Sequence, residues 1–203
     1  MIRHGVAAKR LAALAMAGTL GACGVSSEPV GTAASCPVPG TPLISAHRGG
    51  AAYAPENTMT AFANAARLGV DELEMDTQLT ADGELVVIHD DTLDRTTNCS
   101  GSVGAMTLAD IEACDAAYWF APGQDVTVPA DDRDHPLRGH GIHVPTLRDV
   151  LDWHAALPCQ PRLSIEIKNI PGEANFDPLG GKIATVLVPM LQSYGLADSA
   201  VVQ

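Results

Sequence analysis

Residues 71–90 read DELEMDTQLTADGELVVIHD. The stretch divides into two runs of strand-like composition, DELEMDTQL (71–79) and ELVVIHD (84–90), separated by the tight-turn signal TADG (80–83). Residues two apart on a strand share a face, so Glu74 and Asp76 point one way and Leu73 and Met75 the other. By the same alternation His89 lies opposite Val86 and Ile88. A folded core has no general need of ionisable groups where apolar runs end, so these residues are candidates for chemistry.

Working outward, the same arrangement recurs. LISA (43–46) reads as a strand that runs into His47 and Arg48, with His47 opposite Ile44 and Ala46. The turn GGAAYAPEN (49–57) leads to a helix, TMTAFANAARL (58–68), with Asn57 or Thr58 as cap and Gly69 as stop. After residue 90 comes a long irregular stretch, Asp91 to Val144, of the kind that is usually functional when it lies inside a compact domain. It holds one short helix, TLADIEAC (107–114), with Thr107 and Asp110 spaced as a capping box. His135, His140 and His143 fall in its polar part and read as solvated.

Thr146 then caps LRDVLDWHAAL (147–157), ended by Pro158, and RLSIEIK (162–168) is the fourth strand. Glu166 and Lys168 share one face there, opposite Ile165 and Ile167. A helix over GKIATVLVPMLQSYG (181–195), kinked at Pro189 and capped by Gly195, precedes a fifth strand in SAVVQ (199–203). Alternating strands and helices favour a parallel sheet with helical crossovers. HRGGAAYAPEN does not fit the G-x-G-x-x-G of a dinucleotide-binding fold. Ionisable groups at the ends of successive strands are instead how a parallel α/β barrel builds an active site.

The chain has 203 residues, 46% hydrophobic and 18% charged, enough for one sizeable core. A formal charge of −12 and the lack of a basic cluster beyond the N-terminus argue against nucleic-acid binding. At that terminus Arg3, Lys9 and Arg10 precede the apolar run LAALAMAGTLGA and then Cys23. The run is short for a membrane span and has the form of a signal peptide. Leu20-Gly21-Ala22-Cys23 resembles a bacterial lipoprotein cleavage box, which implies a lipidated Cys23 and an exported, membrane-anchored protein of the cell envelope. The alternative is an ordinary secretory signal cut nearby.

Loss of residues 1–22 removes three basic residues and no acid, taking the formal charge from −12 to −15. Residues 23–42, rich in Gly, Pro, Ser and Thr, read as a tether, and the folded domain as 43–203. Four further cysteines, Cys36, Cys99, Cys114 and Cys159, suit disulfides in an exported chain. The pairing expected is Cys99–Cys114, two cysteines of one loop region, with Cys36–Cys159. No C-x-x-C pair supports a zinc site.

Glu74, Asp76 and Glu166 converging at strand ends need neutralising, and a hard divalent cation, Mg²⁺ or Ca²⁺, does so best. Arg48 and Lys168 add fixed positive charge, and the mixture suits an anionic substrate, above all a phosphate. His47 and His89 supply a general acid and a general base near neutral pH. Together these describe phosphodiester cleavage.

The segments HRGGAAYAPENT, ELEMDTQLTADGELVVIHDDTLDRTT, GIHVPTL and LSIEIK closely resemble the glycerophosphodiester phosphodiesterase family. The resemblance runs from Leu43 to the C-terminus. It implies a TIM-type (β/α)8 barrel with an insertion after the third strand, where the long loop lies. It also implies His47 and His89 as the acid–base pair, Glu74, Asp76 and Glu166 as metal ligands, and Arg48 and Lys168 on the phosphate. Pro55-Glu56-Asn57-Thr58 would shape the first loop. The implied reaction is hydrolysis of a small glycerophosphodiester, such as glycerophosphocholine, to glycerol 3-phosphate and an alcohol.

An eight-stranded barrel takes about 250 residues, whereas this sequence ends within its fifth strand. It therefore reads as a barrel truncated after four and a half β/α units, a fragment of a longer protein. Two other readings are a related sphingomyelinase D or lysophospholipase D type of phosphodiesterase, and a non-catalytic lipid-anchored protein that binds ligands. The PENT segment favours the glycerophosphodiesterase over the first of these.

Overall fold

The computed structural model describes residues 42–123, 134–172 and 176–203. The expected signal segment, the tether and Cys23 lie outside the described residues. Strand β1 (Ser45–Ala46) enters a 3₁₀ turn over His47–Gly49, and helix α1 (Met59–Leu68) follows. Strands β2 (Glu72–Leu79) and β3 (Leu85–Val87) come next, then α2 (Leu108–Glu112) and α3 (Leu147–Ala155). Strand β4 (Arg162–Ile167), helix α4 (Gly181–Ser193) and strand β5 (Val201–Val202) complete the order. No helix among the described residues is long and apolar enough to cross a membrane.

The caps form as the residue types dictate. Thr58 Oγ1 accepts from the Ala61 N–H at 3.2 Å, and Gly69, at φ 75°, ends α1 in the left-handed conformation open to glycine. Thr107 with Asp110 and Thr146 with Asp149 both make reciprocal capping boxes. Helix α4 continues through Pro189 to Ser193.

The sheet runs β1-β2-β4-β5, all parallel, with each new strand added on the same side. A doubly wound sheet reverses its order at a switch point, whereas a barrel does not. The described sheet is thus the open arc of a TIM-type barrel. One expectation needs correction: β3 pairs antiparallel with β2, Thr77 opposite Val87 and Leu79 opposite Leu85. The TADG turn closes a hairpin, so β3 is a flap on β2 and the parallel progression reaches its fourth strand at β5, not its fifth.

The main core lies between sheet and helices and centres on Phe62, Leu73, Met75, Leu151, Leu163 and Ile165. Small residues on α1 (Ala61, Ala65, Ala66) let that helix sit close to the strands. Gly49 marks the tightest approach: at φ +74°, an added Cβ would lie 2.9 Å from both Ala61 Cβ and Phe62 Cδ1.

The stretch after β3 is more ordered than its composition suggests. Val86, Ile88, Leu93, Val103, Ile111 and Val144 make a second, smaller core. The Cys99–Cys114 disulfide closes it as expected. Cys159 is disulfide-bonded as well, and its expected partner, Cys36, lies outside the described residues. His135 is half-buried rather than solvated: its Nδ1 donates to the Phe120 carbonyl at 3.1 Å and its ring meets Trp119 edge-on. His140 and His143 are exposed.

Candidate active site

In strand register Asp76 lies beside Glu166, and Glu74 one step along beside Ser164. Their side chains leave the sheet on the face opposite Leu73, Met75 and Ile165, which are buried against the helices. One carboxylate oxygen from each of Glu74, Asp76 and Glu166 falls within 4.8 Å of the others. Asp76 is 1% exposed and Glu74 7%. Burial, with the neighbouring Asp76 and Glu166, pushes the Glu74 carboxyl above its ordinary value, although the Arg48 N–H pulls the other way. Asp76 is also opposed by burial, yet the hydrogen bond from Asn57 and the Lys168 ammonium beside it hold it below the usual range.

Lys168 sits inside this cluster, 5% exposed, with Nζ 2.6 Å from Glu166 Oε1 and 3.0 Å from Asp76 Oδ1. Burial disfavours its charge, but the two carboxylates outweigh that and raise its pKa. Arg48 reaches the cluster from the other side. It stands at φ 52°, a left-handed conformation uncommon for a residue with a Cβ. That twist brings its backbone N–H 2.5 Å from Glu74 Oε2 and its Nε 3.6 Å from Asp76 Oδ2.

The loop after β1 folds back to complete the wall. Asn57, buried at φ 57°, donates from Nδ2 to Asp76 Oδ2 at 2.7 Å and accepts the Asp76 N–H through Oδ1 at 3.3 Å. His47, exposed at the rim beside Arg48, lowers the Glu74 pKa through its charge, and His89 does the same for Asp76. The seven expected residues, His47, Arg48, Glu74, Asp76, His89, Glu166 and Lys168, thus act on one another at one end of the sheet.

The donor set fits a hard cation. Asp76 Oδ1 is buried with no hydrogen bond, facing Lys168 only as an ion pair. Three carboxylates offer oxygen ligands from two adjacent strands.

The model of the glycerophosphoryl diester phosphodiesterase family matches residues 47–202. The chain belongs to this family. It is 38% identical over 141 residues to the Bacillus subtilis protein YhdW, covering 69% of this chain and 50% of that protein. Among solved structures, a glycerophosphodiester phosphodiesterase from Agrobacterium tumefaciens superposes with TM-score 0.58 at 33% identity, over 80% of this chain and 57% of that one. An Oleispira antarctica phosphodiesterase in complex with the product sn-glycerol-3-phosphate superposes with TM-score 0.56 at 28% identity, over 75% and 53%. The chain spans about half the length of these relatives.

In this glycerophosphodiesterase-family chain the structure also brings in residues that sequence reading passed over. Strand alternation, if extended to residue 90, would turn Asp90 away from the site and leave it a turn role. But β3 ends at Val87 and the chain bends at His89, so the alternation no longer applies. Asp90 Oδ1 lies 2.7 Å from His89 Nδ1, and that hydrogen bond, with two Arg95 contacts, holds the Asp90 carboxyl far below the usual range against the cost of burial. Glu56, read as loop-shaping only, takes an Arg48 Nη1 bond at 3.0 Å and two from Arg95. A signal was present in the sequence: Arg95 stands five residues after Asp90 in DDTLDRTT.

Proposed function

We propose that this chain carries the active site of a metal-dependent phosphodiesterase that hydrolyses small glycerophosphodiesters, such as glycerophosphocholine, to glycerol 3-phosphate and an alcohol. The observation that carries the reading is the Glu74–Asp76–Glu166 cluster, with Glu74 and Asp76 buried and Glu166 half-buried, Lys168 and Arg48 against it and two histidines acting on it. Membership of the family and the product held by the Oleispira relative support this substrate class.

Glu74, Asp76 and Glu166 would hold Mg²⁺ or Ca²⁺, which when bound polarises a phosphoryl oxygen as a Lewis acid. Arg48 and Lys168 bind the non-bridging phosphate oxygens and take up the negative charge that develops there. His47 and His89 divide the proton work: one takes the proton of the attacking oxygen and the other gives one to the departing alkoxide. Phosphorus gains one oxygen and loses the bond to the head-group alcohol. Burial of Asp76 and Lys168 keeps water from weakening these charge interactions.

Lipidation at Cys23, export and anchoring in the cell envelope belong to the same proposal, and rest on the basic, apolar and Leu-Gly-Ala-Cys pattern of residues 3–23. Release of glycerol 3-phosphate from glycerophosphocholine, compared with release of choline from a lysolipid, tests the substrate class. Preference for glycerophosphocholine supports the reading. Preference for the lysolipid would transfer the site to the lysophospholipase D type.

A further inference from the structure

We propose that Arg95 is a positioning residue of this site, which holds His89 and Arg48 in mutual register through Asp90 and Glu56. The inference rests on the reading of His89 as an acid–base group and Arg48 as a phosphate ligand. Arg95 lies in the segment after β3 and touches two carboxylates that come from different parts of the chain. Its Nε donates to Asp90 Oδ2 at 2.7 Å and its Nη2 to Asp90 Oδ1 at 2.9 Å. Toward Glu56 its Nη1 donates to Oε2 at 2.9 Å and its Nη2 to Oε1 at 2.7 Å. Both pairs are two-pronged, which the planar fork of a guanidinium allows and a lysine ammonium does not.

Each carboxylate then passes the constraint on through an oxygen it shares. Asp90 Oδ1 takes His89 Nδ1 at 2.7 Å, and Glu56 Oε1 takes Arg48 Nη1 at 3.0 Å. The path His89–Asp90–Arg95–Glu56–Arg48 therefore joins the turn after β3 to the loop after β1. An Asp90 carboxylate held by a guanidinium can only accept, so the neutral His89 ring must carry its hydrogen on Nδ1. That leaves Nε2 as the atom that takes or gives a proton. At the other end Glu56 anchors one guanidinium nitrogen of Arg48, while Arg48 Nε stays beside Asp76. These contacts run to Asp90 and Glu56, and the role they give Arg95 is orientation.

The test reads the His89 tautomer from imidazole ¹⁵N shifts in the full chain, without substrate, at a pH where the ring is neutral. The wild type should show the Nδ1–H form. Arg95→Met should lower the ratio of Nδ1–H to Nε2–H about tenfold, the scale of one charge-assisted hydrogen bond. A merely structural arginine would lower the melting temperature and leave the ratio unchanged, and that result overturns the proposal. If Arg95→Met does not fold, Arg95→Lys decides. One ammonium cannot hold both carboxylates in plane, so the ratio should fall there too, and a wild-type ratio overturns the proposal. Because no turnover is needed, this outcome is independent of whether the chain hydrolyses glycerophosphocholine.

Discussion

Gly49 and Gly50 are adjacent, both left-handed, and differ in one respect that a pair of alanine variants can isolate. Gly50, at φ +92°, has nothing within 4 Å of an added Cβ, so Gly50→Ala meets only the backbone cost of a left-handed alanine, about 1–2 kcal/mol. Gly49→Ala meets that cost and a collision at 2.9 Å with Ala61 Cβ and Phe62 Cδ1. Both neighbours are fully buried, so relief requires α1 to move from the sheet. Overpacking of this kind costs about 1–3 kcal/mol, which gives Gly49→Ala a total of roughly 2–5 kcal/mol.

For a domain of this size each kcal/mol shifts the melting temperature by about 2–4 °C. Thermal unfolding followed by far-UV circular dichroism should therefore place Gly49→Ala several degrees below Gly50→Ala, with both below the wild type. Displacement of Gly49 also drags the Arg48 N–H off Glu74, so Gly49→Ala should bind divalent cation more weakly as well. Equal melting temperatures for the two variants would refute the claim that α1 is seated on the turn carrying His47 and Arg48.

Three other outcomes follow from the same contacts. Lys168→Met removes the closer of the two cations on the buried Asp76 and leaves Arg48 Nε at 3.6 Å, a loss of at most about 3–5 kcal/mol in metal-free buffer; saturating Mg²⁺ or Ca²⁺ should recover part of it, and an identical loss with and without cation would contradict the cluster's role. His154 is buried, its Nε2 donates to the Pro161 carbonyl at 2.8 Å, and burial lowers its pKa below the usual 6.5. The unfolded chain then binds the extra proton first, so stability falls as pH drops below 6.5; His154→Gln, which keeps the donor, should flatten that slope in urea titrations across this range. Cys99→Ser with Cys114→Ser opens a crosslink of sequence separation 15, and should cost about 3 kcal/mol in urea unfolding, whereas no change would mean that the second core holds without it.

Much of the site could be read from alternation alone. Glu74, Asp76, Glu166 and Lys168 lie on β2 and at the end of β4, where regular two-residue periodicity fixes which face a side chain takes. Caps at Thr58, Thr107 and Thr146 were equally legible, because a cap is a local bond. Strand direction was not: TADG announced a turn, but the parallel or antiparallel pairing of β3 depends on which neighbour it meets. Periodicity has no hold on Asp90, three residues beyond the end of β3. Glu56 and Arg95 are 39 residues apart in loops, where charged side chains are ordinarily solvated, and no spacing rule links them. Their pairing appears only once the hairpin has turned residue 95 toward the loop after β1.

The most direct test of the account is the release of glycerol 3-phosphate from glycerophosphocholine by the purified chain in Mg²⁺ or Ca²⁺, before and after EDTA. The account predicts release that EDTA abolishes, that added cation restores, and that His47→Ala loses while its fold stays intact. No release in the presence of cation, or release unchanged by EDTA, would contradict it.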